Sequence, residues 1–110
     1  MTGPAVPGVS VAQLPADAAL LDVRESDEWT AGHAPGATHL PMSELTGRID
    51  ELPEDDPLYV VCRSGGRSAR VVAYLAGQGY PAVNVEGGML SWAGSGREVV
   101  AEGGSEPQIV

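Results

Sequence analysis

The chain is poor in the residues that staple, ligate or anchor. Its 110 residues include one cysteine, two histidines and no lysine, and 6 arginines against 15 acidic residues leave a formal charge of -9. One cysteine forms no internal disulfide, and Cys62 with His33 and His39 makes neither a CxxC pair nor a zinc-ligand cluster, so neither a metal nor another cofactor is expected. The acidic balance repels a nucleic-acid backbone or an anionic membrane surface, so neither is an expected partner. The longest apolar runs, LYVVC (58–62) and VVAYLA (71–76), fall far short of the roughly 18 residues that a membrane-spanning helix needs. The opening MTGPAVPGVS has no basic start and no sustained apolar stretch, which reads against a secretory signal and for a cytoplasmic protein.

What remains is an ordinary globular composition, 43% hydrophobic and 19% charged, long enough for one domain that buries about two-thirds of its unfolded surface. The expected division is an N-terminal extension over 1–8, the domain over 9–100, and a small, polar, flexible tail over 101–110 (AEGGSEPQIV). Short apolar runs alternate with helical patterns, as in βαβ units that build a parallel sheet with helices on both faces. Five strands are expected near 9–11, 19–23, 38–40, 58–62 and 82–85. Glu25 to Ala31 reads as a short helix, and Leu45, Ile49 and Leu52 recur on one helical face, with Pro53 and Pro57 beyond it. Ser68 is placed to cap a third helix, with Val72, Leu75 and Ala76 toward the core and Gly77 or Gly79 at its end. GGMLSW (87–92) forms the last turn of structure.

The chemistry concentrates at Cys62. LYVVC, then RSGG, then SARVVAYLA reads as strand, tight glycine loop and helix, an arrangement that converges backbone N–H groups and a helix N-terminus on an anion. Three of the six arginines, Arg63, Arg67 and Arg70, fall in this same CRSGGRSAR segment (62–70) of an acidic chain. A free thiol with a pKa near ~8.5 needs about 2 kcal/mol of preference for the anion to be half ionised at neutral pH. A helix end supplies ~0.3–1 kcal/mol, leaving the remainder to converging N–H bonds and to Arg63 or Arg67. A core thiol has no use for two guanidinium groups and adjacent glycines, whereas an anionic sulfur intermediate uses both.

These residues resemble the rhodanese-like domain over roughly Val9 to Val100. LLDVRESDEWTAGHAPGATHLP (20–41) is similar to that family's N-terminal signature, CRSGGRS (62–68) to its active-site loop, and VNVEGGMLSW (83–92) to its C-terminal signature. Trp29 stands where Tyr or Phe is commoner, and GREVV (96–100) where Pro is frequent. The resemblance implies an α/β fold with a five-stranded parallel sheet in the order 3-2-4-5-1. It implies a thiosulfate sulfurtransferase: Cys62 takes sulfane sulfur as a persulfide and passes it to a thiol, cyanide or protein acceptor. Arg63, Ser64, Gly65, Gly66, Arg67 and Ser68 then surround a small anionic donor, and Asp22 and Arg24 support the loop or form a plain surface ion pair.

Other readings compete. A cysteine phosphatase or arsenate reductase needs C-x5-R, but here four residues separate Cys62 from Arg67. At about 3.5 Å of chain per residue, the loop closes into a ring narrower by about 1 Å, too tight for three phosphoryl oxygens. A carrier that accepts and delivers sulfur between proteins, without turning over free thiosulfate, stays open. His33, in the turn GHAPGA, reads as satisfied by its own backbone rather than as a general base. GQGYPA (77–82) matches a dinucleotide pattern but follows a helix and precedes a strand, the reverse of what that motif requires. Glu51, Glu54, Asp55 and Asp56 read as a solvated loop.

Overall fold

The computed structural model describes residues 6–110; the first five residues of the expected N-terminal extension lie outside them. Five strands, β1 (Gly8–Ser10), β2 (Leu20–Asp22), β3 (Thr38–His39), β4 (Leu58–Val61) and β5 (Ala82–Glu86), form one sheet in the order β1-β5-β4-β2-β3. Every pairing is parallel, with Asp22 beside Val61 and beside His39. This is the expected order read from the other edge. The edge strand β3 is the shortest, and β1 ends one residue earlier than its sequence pattern implies because Val11 opens a 3₁₀ turn.

Strand alternation divides the side chains between two cores. Leu21, Val23, Leu58, Val60 and Cys62 join one cluster with Leu45, Val71, Val72 and Leu75. Leu20 and Val61 join the other with Val11, Leu14, Val85, Met89 and Trp92. The central strands are apolar on both faces because both faces are covered, as parallel sheets require. A fully buried Leu or Val stabilises the fold by about 1.5–3 kcal/mol.

Three α-helices follow strands: α1 (Ser26–Ala31), α2 (Gly66–Gly77) and α3 (Gly88–Gly94). Helix α2 begins before Ser68. Gly65, at φ +111, is its N-cap, so Ser68 lies inside the first turn, fully buried, rather than capping it. The core face of α2 is Val71, Val72 and Leu75, whereas Ala76 is exposed; the helix turns Val71 rather than Ala76 toward the cluster around Leu58, Val60 and Cys62. Its end is a Schellman turn: Gly79, at φ +86, donates N–H to the Ala76 carbonyl and Tyr80 donates to Leu75. The Leu45 segment is a 3₁₀ helix over Met42–Glu51, broken at Arg48, yet Leu45 and Leu52 are buried and Ile49 packs against them as their spacing implies. The acidic loop 54–56 is exposed.

Residues 101–110, expected from composition to fray, lie against the body. His33 and Val100 exchange backbone bonds, Gln108 N–H donates to the Ala31 carbonyl, and Ile109 packs on the second core.

Candidate active site: the Cys62 loop

The chain leaves β4 toward β5 and leaves β2 toward β3, in opposite directions across the sheet. The carboxyl ends of β2 and β4 therefore flank the crevice where open α/β sheets bind ligands. Cys62 directly follows β4 in this crevice.

The loop wraps the sulfur in donors. Gly65 N–H donates to Cys62 Sγ at 3.1 Å and Ser68 N–H at 3.4 Å, while the Ser68 hydroxyl lies 3.2 Å from Sγ. Burial opposes ionisation of Cys62 more strongly than any other single influence. Hydrogen bonds from the Ser68 hydroxyl and from the Ser68, Gly65 and Ser64 N–H groups together outweigh it and hold the thiol below its ordinary range. Converging N–H bonds were expected to share this task with Arg63 or Arg67, and the loop's hydrogen bonds are the main influences that favour the anion.

The loop is fixed from outside by β5 and α3. Asn84, a buried polar residue of β5, accepts the Ser68 hydroxyl proton at 2.5 Å on Oδ1 and donates from Nδ2 to the Gly65 carbonyl at 3.3 Å. Met89 and Leu90 N–H groups donate to the Cys62 and Arg63 carbonyls at 2.8 and 3.0 Å. With these carbonyls drawn to α3, the loop N–H groups turn to the sulfur. Gly88, at φ +57, permits this contact, because a Cβ there would clash with both carbonyls. GGMLSW thus packs Met89 and Trp92 into the core, as expected, and also clamps the loop.

The arginines diverge. Arg63 is exposed, and its Nε donates to the Val110 carbonyl at 3.1 Å; Arg70 is exposed one turn into α2. Arg67 was expected to be a solvent-accessible charge facing the donor. Instead it is partly buried and spends both Nη groups on Glu28 of α1, at 2.7 and 2.8 Å. The Arg67 guanidinium holds the Glu28 carboxyl below its ordinary value. Arg67 is itself raised, chiefly by Glu28, with a smaller contribution from Cys62.

Asp22 and Arg24 are both 0% exposed, which removes the reading of a plain surface pair. Arg24 makes two guanidinium contacts to Asp22 through Nε and one through Nη2 at 2.7 Å, and Nη2 also donates to the Gly32 carbonyl. Strand alternation puts Asp22 on the face opposite Cys62, so the pair ties β2 to the turn after α1 and makes no hydrogen bond to the 62–68 loop. His33 donates from Nδ1 to the Trp29 carbonyl at 2.8 Å, in keeping with a turn histidine, and its Nε2 lies 3.7 Å from Glu102. Trp29 is stacked between His33 and His39. Among the described residues, no group of three His, Cys, Asp or Glu is placed to hold a metal.

Asn84, Glu28 and Gly88 were not read from sequence as parts of the site. A polar residue inside the apolar strand AVNVE was the available signal for Asn84. Glu28 lies 39 residues from Arg67, a pairing no local pattern contains.

The comparisons agree with this geometry. The rhodanese-like domain matches residues 10–95. A sulfurtransferase of Allochromatium vinosum is 42% identical over 89 residues, 80% of this chain and 83% of that protein. The crystal structure of a rhodanese-related protein from Thermoplasma volcanium superposes with a TM-score of 0.81 at 35% identity, covering 87% of this chain and 99% of that one. An NAD-dependent persulfide reductase of A. fulgidus aligns at 36% identity with a TM-score of 0.68, over 79% of this chain but only 16% of that protein. With the sheet order, the cysteine loop at the end of β4 and these matches in agreement, the chain belongs to the rhodanese-like domain family, whose named relatives include sulfurtransferases.

Proposed function

We propose that this protein is a cytoplasmic thiosulfate sulfurtransferase that carries sulfur as a persulfide on Cys62. The observation that carries this reading is a single buried sulfur held by the Gly65 and Ser68 N–H groups and the Ser68 hydroxyl, with its ionisation favoured. Such a thiolate attacks the outer sulfur of thiosulfate. The S–S bond breaks, its electron pair leaves with sulfite, and Cys62 is left as Cys–S–S⁻. A thiol or cyanide then attacks the outer sulfur and Cys62 departs as thiolate, ready for another cycle. No second cysteine exists to resolve the persulfide internally, so discharge goes to a small nucleophile or a partner protein. Arg63, Ser64, Gly65, Gly66, Arg67 and Ser68 are assigned to the donor site, with Asp22 and Arg24 bracing the strand beside it.

The carrier reading has support of its own: a relative in Bacillus subtilis, 42% identical over 76 residues, is named a putative sulfur carrier protein, and the aligned persulfide reductase holds a similar domain as a small part of a longer chain. Phosphoryl chemistry is disfavoured by the short loop and by the commitment of Arg67 to Glu28.

Intact-mass measurement after incubation with thiosulfate tests the proposal. The expected result is the mass of one added sulfur atom, lost on adding cyanide and absent from Cys62→Ser. A folded parent protein that acquires no sulfur would sink it, and loading by thiosulfate with no discharge to small nucleophiles would select the carrier reading.

A further inference from the structure

Helix α1 follows β2 and helix α2 follows β4, so the Glu28–Arg67 pair spans the crevice beside Cys62. It is a fork-to-carboxylate contact, with each Nη on its own oxygen at 2.7 and 2.8 Å. The carboxylate is also held in place by the Glu25 N–H, which donates to Oε1 at 3.1 Å. Glu28 is the less exposed partner, at 15% against 31% for Arg67. Of the three arginines near the thiol, Arg63 points to the Val110 carbonyl and Arg70 lies a turn further along α2. Arg67 is thus the guanidinium at the start of the helix, and its charge is already matched by an internal anion.

We infer that Glu28 is a specificity-determining residue, which by occupying Arg67 biases the Cys62 site toward singly charged persulfide donors, R–S–S⁻, and away from dianionic thiosulfate. This rests on the sulfurtransferase reading above and ranks its donors, leaving thiosulfate a working donor but a weaker one than an alkyl persulfide. A free Arg67 would attract a dianion about twice as strongly as a monoanion at the same distance, because Coulomb energy scales with the product of charges. Pairing with Glu28 removes most of that difference. The chemistry at Cys62 is unchanged: the thiolate attacks the outer sulfur of R–S–S⁻, the S–S bond breaks, and RS⁻ leaves with the electron pair and takes a proton from water. Glu28 acts through Arg67 and touches no reacting atom, so it is a positioning residue.

The test is the rate of sulfur loading on Cys62, followed by intact mass against donor concentration, with thiosulfate and with 2-hydroxyethyl persulfide. Glu28→Gln keeps an oxygen for the Glu25 N–H while removing the charge. The half-saturating thiosulfate concentration should fall about fivefold, the size of one screened charge pair, and that for the alkyl persulfide about twofold, half the free energy. Maximal rates should not change, and added salt should erase the gain. A Glu28→Gln protein that melts like the parent but shows equal shifts for both donors, or no fall for thiosulfate, overturns the inference. Glu28→Ala frees the same guanidinium and covers the case in which Glu28→Gln folds poorly. Its thiosulfate half-saturation should likewise fall about fivefold and that for the alkyl persulfide about twofold; equal shifts for both donors, or no fall for thiosulfate, would overturn the inference here too. A parent protein that loads from neither donor defeats the sulfurtransferase reading itself, an outcome distinct from both.

Discussion

Replacing Ser68 with Ala removes one hydroxyl from the sulfur and leaves every backbone donor in place. Ser68 Oγ lies 3.2 Å from Cys62 Sγ, and a hydrogen bond to a charged group is worth about 1.5–3 kcal/mol. The low end applies here, because the same hydroxyl proton is shared with Asn84 Oδ1 at 2.5 Å. At about 1.4 kcal/mol the thiolate fraction at neutral pH falls by up to about tenfold. A more basic thiolate is also a better nucleophile, with a Brønsted coefficient of about 0.4–0.5, which returns about threefold of that loss. Iodoacetamide alkylation followed across pH should therefore show two opposed changes. The rate at neutral pH falls by up to about threefold, and the plateau at high pH rises about threefold. Stranding the buried Asn84 acceptor costs about 1–3 kcal/mol of stability, so melting temperature should drop while the protein still folds. A Ser68→Ala profile that superimposes on the parent's, or one displaced toward lower pH, would refute the assignment of the depressed thiol to this hydrogen bond.

The buried Asp22–Arg24 pair offers a prediction of stability rather than chemistry. Asp22→Ala leaves an uncompensated guanidinium in the interior and should cost about 3–5 kcal/mol, a large share of the roughly 5–15 kcal/mol available to a domain; a urea midpoint within error of the parent's would contradict it. Glu28 predicts an acid-side dependence. Its folded pKa is depressed from 4.5, chiefly by Arg67, so its contribution is present above that ordinary value and is lost as pH falls through the lower folded value. The stability advantage of the parent over Glu28→Gln, measured by denaturant titration, should shrink as pH drops below 4.5; a gap that stays constant over that range would show the carboxylate is not held by Arg67.

The sequence by itself determined the parallel α/β plan, the placement of Cys62 at the end of a central strand, and the donor loop that follows. These are local consequences: apolar runs of strand length, a helix with Val72 and Leu75 on one side, and two adjacent glycines that let N–H groups converge. Tertiary structure alone decided what holds that loop and how its charges are spent. Arg67 reads from the chain as a free cation beside the thiol, but folding brings α1 across the crevice and gives its guanidinium to Glu28. Ser68 reads as a helix cap, but Gly65 takes that place in a left-handed conformation and turns the serine inward, between the sulfur and Asn84. The 3₁₀ character of Met42–Glu51 and the docking of the tail against Ala31 were likewise invisible. Each depends on partners tens of residues away, where hydrophobic periodicity and turn chemistry carry no information about which polar groups will meet.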